Sequence, residues 1–146
     1  MLMLINKKGY SIIEVLCSLM LISLLVPLIF KIQLMTIKKH KYIEVREYKI
    51  SMLQAVENEL YYNCSYSQIV KLVSSNNKYI IEDNLNFNYV YEHNIYEVFV
   101  DKLGTNNLGL EINVDMSSVL KITLQIKYEF YGKEESVTCT FSKGDY

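Results

Sequence analysis

One uncharged, apolar stretch near the N-terminus limits what this chain can fold into. It follows Glu14 and runs from Val15 to Phe30 without a charged residue. Counted from Tyr10, the segment that ends at Phe30 has 21 residues. As an α-helix it is about 31 Å long, close to the roughly 30 Å of a bilayer's hydrocarbon core. The sequence therefore predicts a membrane-spanning helix here.

Three other interpretations of this stretch fit the residues less well. A conventional secretory signal would end in a small-x-small site, whereas this run ends at Phe30 and continues as Lys31-Ile32-Gln33. A lipoprotein signal would have small residues before its cysteine, but Val15 and Leu16 precede Cys17. A buried helix of a soluble protein is rarely this long with apolar residues on every face.

The residues around Glu14 form a motif. A carboxylate in a membrane segment costs about 2.5–3.5 kcal/mol at the helix centre and is normally functional and paired. The motif begins with Lys8-Gly9 and Tyr10, continues through three further residues to Glu14, and is followed by the apolar run. It resembles the class III signal of type IV prepilins and pseudopilins. The resemblance implies that a membrane aspartyl peptidase cleaves after Gly9 and then methylates the new Tyr10 amine.

The chemistry of these residues suits such processing. Gly9 has no side chain, so an extended segment can approach a peptidase closely. The freed α-amine of Tyr10 would be charged below a pKa of about 7.7–8.0. Glu14 of a neighbouring subunit would pair with that amine and set the axial register, because an unpaired buried charge is costly.

A second interpretation of Glu14 stays open. The helix macrodipole favours a carboxylate near a helix N-terminus, so Glu14 would also suit an unprocessed single-pass signal-anchor protein with an extracytoplasmic binding domain. Basic residues favour the cytoplasmic side, and four lysines beyond the apolar run outnumber the two before it: Lys31, Lys38, Lys39 and Lys41 against Lys7 and Lys8. We give the processing motif precedence and place the C-terminal domain outside the cytoplasm.

Two residues depart from the usual pattern of the family that the motif resembles. Tyr10 replaces the commoner Phe. Pro27 would be the eighteenth residue of the mature chain, earlier than the proline typical of major pilins. We expect Pro27 to kink or locally melt the helix.

Helical periodicity continues beyond the apolar stretch. No Gly or Pro occurs in residues 28–62, and apolar residues share one face at helical spacing. A helix from Tyr10 to about Tyr62 would be about 80 Å long, so its first half is expected to protrude from a domain of this size, as the resemblance also implies. The residues of the apolar face are Ile43, Ile50, Leu53, Val56 and Leu60.

After Asn63 the period of the pattern changes to two. Alternating apolar and polar residues predict four or five antiparallel strands with one buried face. Turns are predicted at Gly104–Asn107 and Gly132-Lys133, and a short helix and loop over 65–78. The predicted strands cover 85–91, 96–100, 110–114, 122–130 and 137–141.

These elements predict an α+β, pilin-like fold in which the C-terminal half of the long helix packs on the apolar face of a small antiparallel sheet. Residues 1–9 would be a leader peptide. Residues 10–35 would be the half of the helix that spans the membrane or lies in the filament core. Residues 36–146 would form the globular domain.

Composition argues against several kinds of chemistry. The formal net charge is −1, and removing residues 1–9 leaves 13 basic and 16 acidic residues, or −3. A dedicated nucleic-acid binder would usually be strongly basic. The sequence has no hydrolase elbow, Walker loop or metal constellation, so we expect a protein that is not an enzyme and has no catalytic residue, cofactor or metal. His40 and His93 are too far apart in sequence to suggest a shared metal.

The basic and aromatic segment Lys38–Tyr42 could contact DNA, but we favour contact with lipid headgroups or with the acidic residues of neighbouring subunits. Cys64 and Cys139 are a candidate disulfide pair that would close a large loop. Cys139 fits a small core residue equally well. Cys17 is most simply a packing residue of the anchor.

The resemblance implies a minor pilin or pseudopilin of the cytoplasmic membrane that later enters a cell-surface filament. The implied partners are other pilin or pseudopilin subunits, a prepilin peptidase, an assembly platform protein with its ATPase, and membrane lipid. Pilus function, type II secretion and DNA uptake are not distinguished by these residues. Pro27 and the lack of surface-loop elaboration favour a minor subunit.

Overall fold

One long helix, α1, covers Ile12–Asn58 and is assigned without a break through Pro27. It closes in a π-helical turn at Glu59–Asn63, so the predicted end near Tyr62 is confirmed. The computed structural model describes residues 12–104, 107–116 and 119–144. The described residues fall into one unit that ends at Lys41 and a second that begins at Tyr42.

The second unit combines short helices with a four-stranded sheet, which confirms the predicted α+β class. The strands are antiparallel and lie in the order β1-β2-β3-β4. A 3₁₀ turn covers Glu82–Asn84. The remaining elements are α2 (Tyr66–Ser74), β1 (Tyr79–Ile81), α3 (Phe87–Glu92), α4 (Ile95–Val98), β2 (Gly109–Met116), β3 (Leu120–Phe130) and β4 (Lys133–Lys143).

A tight hairpin joins β3 to β4. Phe130 pairs with Lys133 across the two-residue turn. Tyr131 and Gly132 both have positive φ, 50° and 74°, as a type I′ turn requires. The turn predicted at Gly132-Lys133 is confirmed at Gly132 but lies one residue earlier, because Lys133 begins β4. The turn predicted at Gly104–Asn107 includes residues 105–106, which lie outside the described residues.

The core lies between the sheet and the part of α1 in the second unit. Leu53, Val56 and Leu60 are buried as predicted, and Met52 joins them. Ile43, predicted on the same face, is instead 40% exposed. Alternate residues of β3 supply the facing wall, each at most 1% exposed: Leu120, Ile122, Leu124, Ile126 and Tyr128.

The short helix predicted within 65–78 is confirmed as α2, and its first turn is closed by a capping box. The Ser65 hydroxyl accepts a hydrogen bond from the Gln68 backbone N–H at 3.3 Å. The Gln68 side chain accepts one from the Ser65 backbone N–H at 2.7 Å. These two bonds satisfy donors that a helix start otherwise leaves without partners.

The strand predicted over 85–91 is wrong, because most of this segment forms α3. The Asn86 side chain accepts a hydrogen bond from the Tyr89 backbone N–H at 2.8 Å and caps the helix. Val90 and Leu85 are buried. A short apolar run does not distinguish strand from helix by period alone, and here the capping residue decides.

The strand predicted over 96–100 is also wrong. Ile95, Val98 and Phe99 are all buried, which is the i, i+3, i+4 spacing of a helical face, and Ile95–Val98 forms α4. Val100 makes only an isolated bridge to Tyr79. The first strand of the sheet is β1, which the alternation did not predict.

Candidate functional site

Glu14 lies in the first turn of α1 as the structure describes it. Its backbone carbonyl accepts a hydrogen bond from the Ser18 hydroxyl at 2.8 Å. A carboxylate at this end of a helix interacts favourably with the partial positive charge of the N-terminus. Lys8, Gly9 and Tyr10 lie outside the described residues, so the cut site and the amine remain predictions.

The helix beyond Glu14 has an exposed apolar surface on all sides. Every large hydrophobic residue from Ile12 to Ile37 is exposed, with exposed fractions between 42% at Val26 and 79% at Ile12. Monomeric soluble proteins rarely expose so large a continuous apolar surface. Among the described residues, one helix is long and apolar enough to cross a membrane, and it contains this surface.

The hydroxyl groups on this segment are satisfied within the helix. Ser23 donates to the Met20 carbonyl at 2.7 Å, and Thr36 donates to the Ile32 carbonyl at 3.0 Å. Ser18 bonds to the backbone in the same way. A polar side chain without such a partner would be costly in hydrocarbon, so these residues are compatible with lipid contact.

Pro27 lies within α1, and the helix continues on both sides of it. Local melting, one of the two outcomes expected from the sequence, is therefore not observed. Proline has no backbone N–H to donate to the carbonyl four residues earlier. The carbonyl of Ser23 thus lacks its usual intrahelical donor.

A basic segment follows the apolar surface. Lys31 and the run Lys38–Lys41 are exposed, and no acidic residue occurs between Val15 and Ile43. A cluster of this kind next to an apolar span attracts anionic headgroups.

The two candidate disulfide cysteines are free thiols. Cys139 donates a hydrogen bond to the Glu57 carboxylate at 3.1 Å. Cys64 follows the π-helical turn Glu59–Asn63 and has an extended backbone. The structure therefore contains no bond between these two thiols.

Burial raises the pKa of the Cys139 thiol to about 11, and the hydrogen bond and negative charge of Glu57 act in the same direction. Burial also raises the pKa of the Cys64 thiol, although the positive charge of Lys143 opposes that effect. Since the thiolate is the reactive form, both cysteines fit packing roles better than redox chemistry.

The end of the long helix is held by a lysine from the last strand. The Lys143 ammonium donates to the backbone carbonyls of Leu60, Tyr61 and Cys64. Carbonyls at a helix C-terminus lack intrahelical donors and carry partial negative charge, which a cation stabilises. Sequence reasoning missed this contact, because nothing in the sequence indicates that a lysine 79 residues after Cys64 reaches it.

Replacing Lys143 with methionine should lower the free energy of unfolding by about 2 kcal/mol, because it leaves these carbonyls without a charged donor. Lys133→Met is the matched control, since Lys133 is exposed at the other end of β4. Urea unfolding of the full chain in detergent, followed by tyrosine fluorescence, measures both variants. Equal free energies of unfolding for Lys143→Met and Lys133→Met would show that the Lys143 contacts contribute nothing to stability.

Neither of two clefts among the described residues of the second unit has a reactive arrangement. The cleft beside Lys143 is lined by the residues of the cap and by the start of α2. A second cleft contains the ion pair of Lys127 with Glu111 at 3.2 Å. Within the described ranges, no group of three His, Cys, Asp or Glu residues could hold a metal ion.

No family model, curated protein or solved structure matches this chain.

Proposed function

We propose that this chain is a minor pilin or pseudopilin, cleaved after Gly9 and assembled into a type IV pilus-like filament. One observation carries the proposal: Glu14 lies on helix α1, and the residues that follow it as far as Phe30 are uncharged and exposed. The spacing of Gly9, Tyr10 and Glu14 is that of the processing motif.

In the proposed assembly step, the apolar segment leaves lipid and packs against the helices of neighbouring subunits. Lipid tails are as apolar as leucine, so burial of apolar area does not drive this transfer, and side-chain packing and polar pairing must do so. The Tyr10 amine of one subunit and Glu14 of the next would form the polar pair. A misaligned subunit would leave both charges buried and unpaired, which is costly.

The second unit would remain outside the membrane and give the subunit its identity within the filament. Its fold is held by the β3 core and by the cap at Lys143. A prepilin peptidase would process the chain, and a membrane platform with its ATPase would insert it. The same assembly step is compatible with a role in a pilus, in DNA uptake or in secretion.

Shearing of intact cells tests the proposal. Antibody against the Tyr42–Tyr146 unit should detect the chain in the sheared filament fraction, and this signal should disappear when the platform protein is deleted. The membrane fraction should retain the chain in both strains. A chain that is absent from the sheared fraction of both strains and found only in their membrane fractions would instead fit a single-pass anchor protein with an external binding domain.

A further inference from the structure

The last strand of the sheet has one edge that no other described strand pairs with. β4 lies at the end of the strand order, and its partner among the described strands is β3. Phe130 and Lys133 flank a two-residue turn, so they form a hydrogen-bonded pair. Such pairs alternate with non-hydrogen-bonded pairs along an antiparallel ladder, and the register of β3 with β4 has no interruption. The free edge of β4 therefore presents the backbone N–H and C=O groups of Glu134, Ser136, Thr138, Thr140 and Ser142.

The free edge lacks the features that protect exposed edge strands. Proteins blunt such edges with prolines, bulges, lysines or very short strands. β4 has 11 residues, no proline and an unbroken register, and its lysines are its two terminal residues, Lys133 and Lys143. The stretch from Ser136 to Ser142 is uncharged. An edge of this kind suits the addition of a further strand.

The face of β4 that is turned toward α1 is incompletely covered. Val137, Cys139 and Phe141 pack against the core but are only partly buried, whereas the β3 residues opposite them are fully buried. α1 contacts this apolar row through the Glu57 carboxylate at Cys139 and the Tyr61 ring at Phe141. Side chains on one face of neighbouring strands lie about 4.5–5.5 Å apart. Apolar residues of a strand added at the free edge would therefore cover the row further.

Acidic side chains gather at the hairpin end of the free edge. Glu134 lies directly opposite Glu129 of β3, and both are exposed. Like charges at opposite positions destabilise a strand pair. Neither carboxylate forms a salt bridge within the part of the chain that the structure describes, and Glu135 adds a further negative charge beside Glu134. An added strand with a lysine or arginine next to Glu134 would relieve this repulsion.

A second copy of β4 does not meet these requirements. In an antiparallel pair of two β4 strands, free-edge residues would lie opposite free-edge residues, and none of these is basic. α1 also runs along β4, because the Tyr42 hydroxyl lies 3.5 Å from the Glu135 carboxylate and Lys143 donates to the Leu60 carbonyl. The two-fold axis of such a pair would reverse α1 in the second copy, so two chains anchored in one membrane could not pair in this way.

We propose that the free edge of β4 binds an extended segment of another protein by strand addition. The segment would carry apolar residues opposite Val137, Cys139 and Phe141, small polar residues on the other face, and a lysine or arginine beside Glu134. Backbone hydrogen bonds would provide affinity, and the alternating side chains would provide specificity. The proposal goes beyond the proposed function, and the pairing chemistry does not depend on cleavage after Gly9 or on filament assembly.

Two synthetic peptides test the proposal. Both are based on β3, because its side chains already match those of β4 on the other side. One peptide has the sequence of Leu120–Phe130, and the other carries Glu129→Lys. Fluorescence anisotropy of the labelled peptides measures their binding to the full chain in detergent micelles. In the register of β3, the lysine peptide should bind about fivefold more tightly, because an opposite charge replaces a like charge next to Glu134.

Thr138→Pro tests the edge itself, since proline removes one outward N–H and is tolerated on an edge strand. The matched control is Thr138→Val, which keeps the N–H and a β-branched side chain. Thr138→Pro should weaken binding of the lysine peptide about tenfold or more, whereas Thr138→Val should bind it as the wild type does. Equal binding by Thr138→Pro and the wild type would mean that the peptide binds the micelle or another surface, and would overturn the site.

Glu134→Lys tests the charge without altering the backbone. This variant should reverse the preference, so that the peptide with the natural sequence binds more tightly than the lysine peptide. An unchanged preference would overturn the stated chemistry of the partner. Sedimentation velocity without peptide tests the other occupant: a wild type that self-associates while Thr138→Pro stays monomeric would assign the edge to a second copy and overturn the proposal.

Discussion

Replacing Glu14 with alanine should reduce the recovery of this chain in sheared filaments by a factor of about a hundred or more. Removing one partner of a buried ion pair typically costs about 3–5 kcal/mol, because the other charge is left buried and unpaired. In the proposed filament that other charge is the Tyr10 amine of the neighbouring subunit. The variant should still enter the membrane, since alanine makes the apolar segment more hydrophobic.

Glu44→Ala is the matched control for this prediction. Glu44 is an exposed carboxylate on the same helix, beyond the apolar segment, so its loss should leave filament recovery nearly unchanged. Immunoblots of the sheared and membrane fractions measure both variants. Normal recovery of Glu14→Ala would mean that Glu14 is only a carboxylate at a helix end and that another feature sets the register.

Gly109→Ala should destabilise the second unit by about 3 kcal/mol or more, by forcing strained backbone and a steric clash. Gly109 begins β2 with φ +143°, which side-chain-bearing residues rarely adopt. A Cβ atom there would lie 2.3 Å from the Ile80 carbonyl oxygen and 2.9 Å from the Leu103 side chain. The first of these atoms belongs to the backbone of the neighbouring strand β1, so relief requires β1 and β2 to separate.

Two other glycines provide graded controls. Gly132 also has positive φ, +74°, but a Cβ there would meet nothing within 4 Å, so Gly132→Ala should cost only about 1–2 kcal/mol. A Cβ on Gly104 would meet a side-chain methyl of Ile81 at an ordinary 3.8 Å, and the effect should be within about 0.5 kcal/mol. Urea unfolding in detergent ranks the three variants, and a Gly109→Ala chain as stable as Gly132→Ala would contradict the account.

The elements predicted correctly are those with a long, uninterrupted pattern. The apolar run with its helical continuation predicted α1, because one period persists over many turns. Strict alternation over Ile122–Phe130 predicted β3, and the Gly132 turn predicted its pairing with β4. In β3 the residues that the alternation places on one face are the buried ones.

The segment between α2 and β2 was predicted poorly for a physical reason. Its apolar runs are short, so the side chain of Asn86 and the spacing of Ile95 and Val98 decide the conformation rather than the alternation. β1 has three residues, and it is a strand because of its pairing with β2 rather than because of its own sequence.

The candidate site divides in a similar way. Glu14 and its position ahead of the apolar run could be predicted from the sequence, since the motif and the span are local. The Lys143 cap and the Cys139–Glu57 hydrogen bond could not be predicted, because they join residues 79–83 positions apart that only the folded chain brings together.

Intact mass and N-terminal sequencing of the chain, purified from cells with and without a prepilin peptidase, test the central claim most directly. The account predicts a chain that starts at N-methylated Tyr10 when the peptidase is present and a longer precursor when it is absent. A chain that still starts near Met1 under both conditions would contradict processing after Gly9. It would leave an unprocessed membrane anchor with an external domain as the better description.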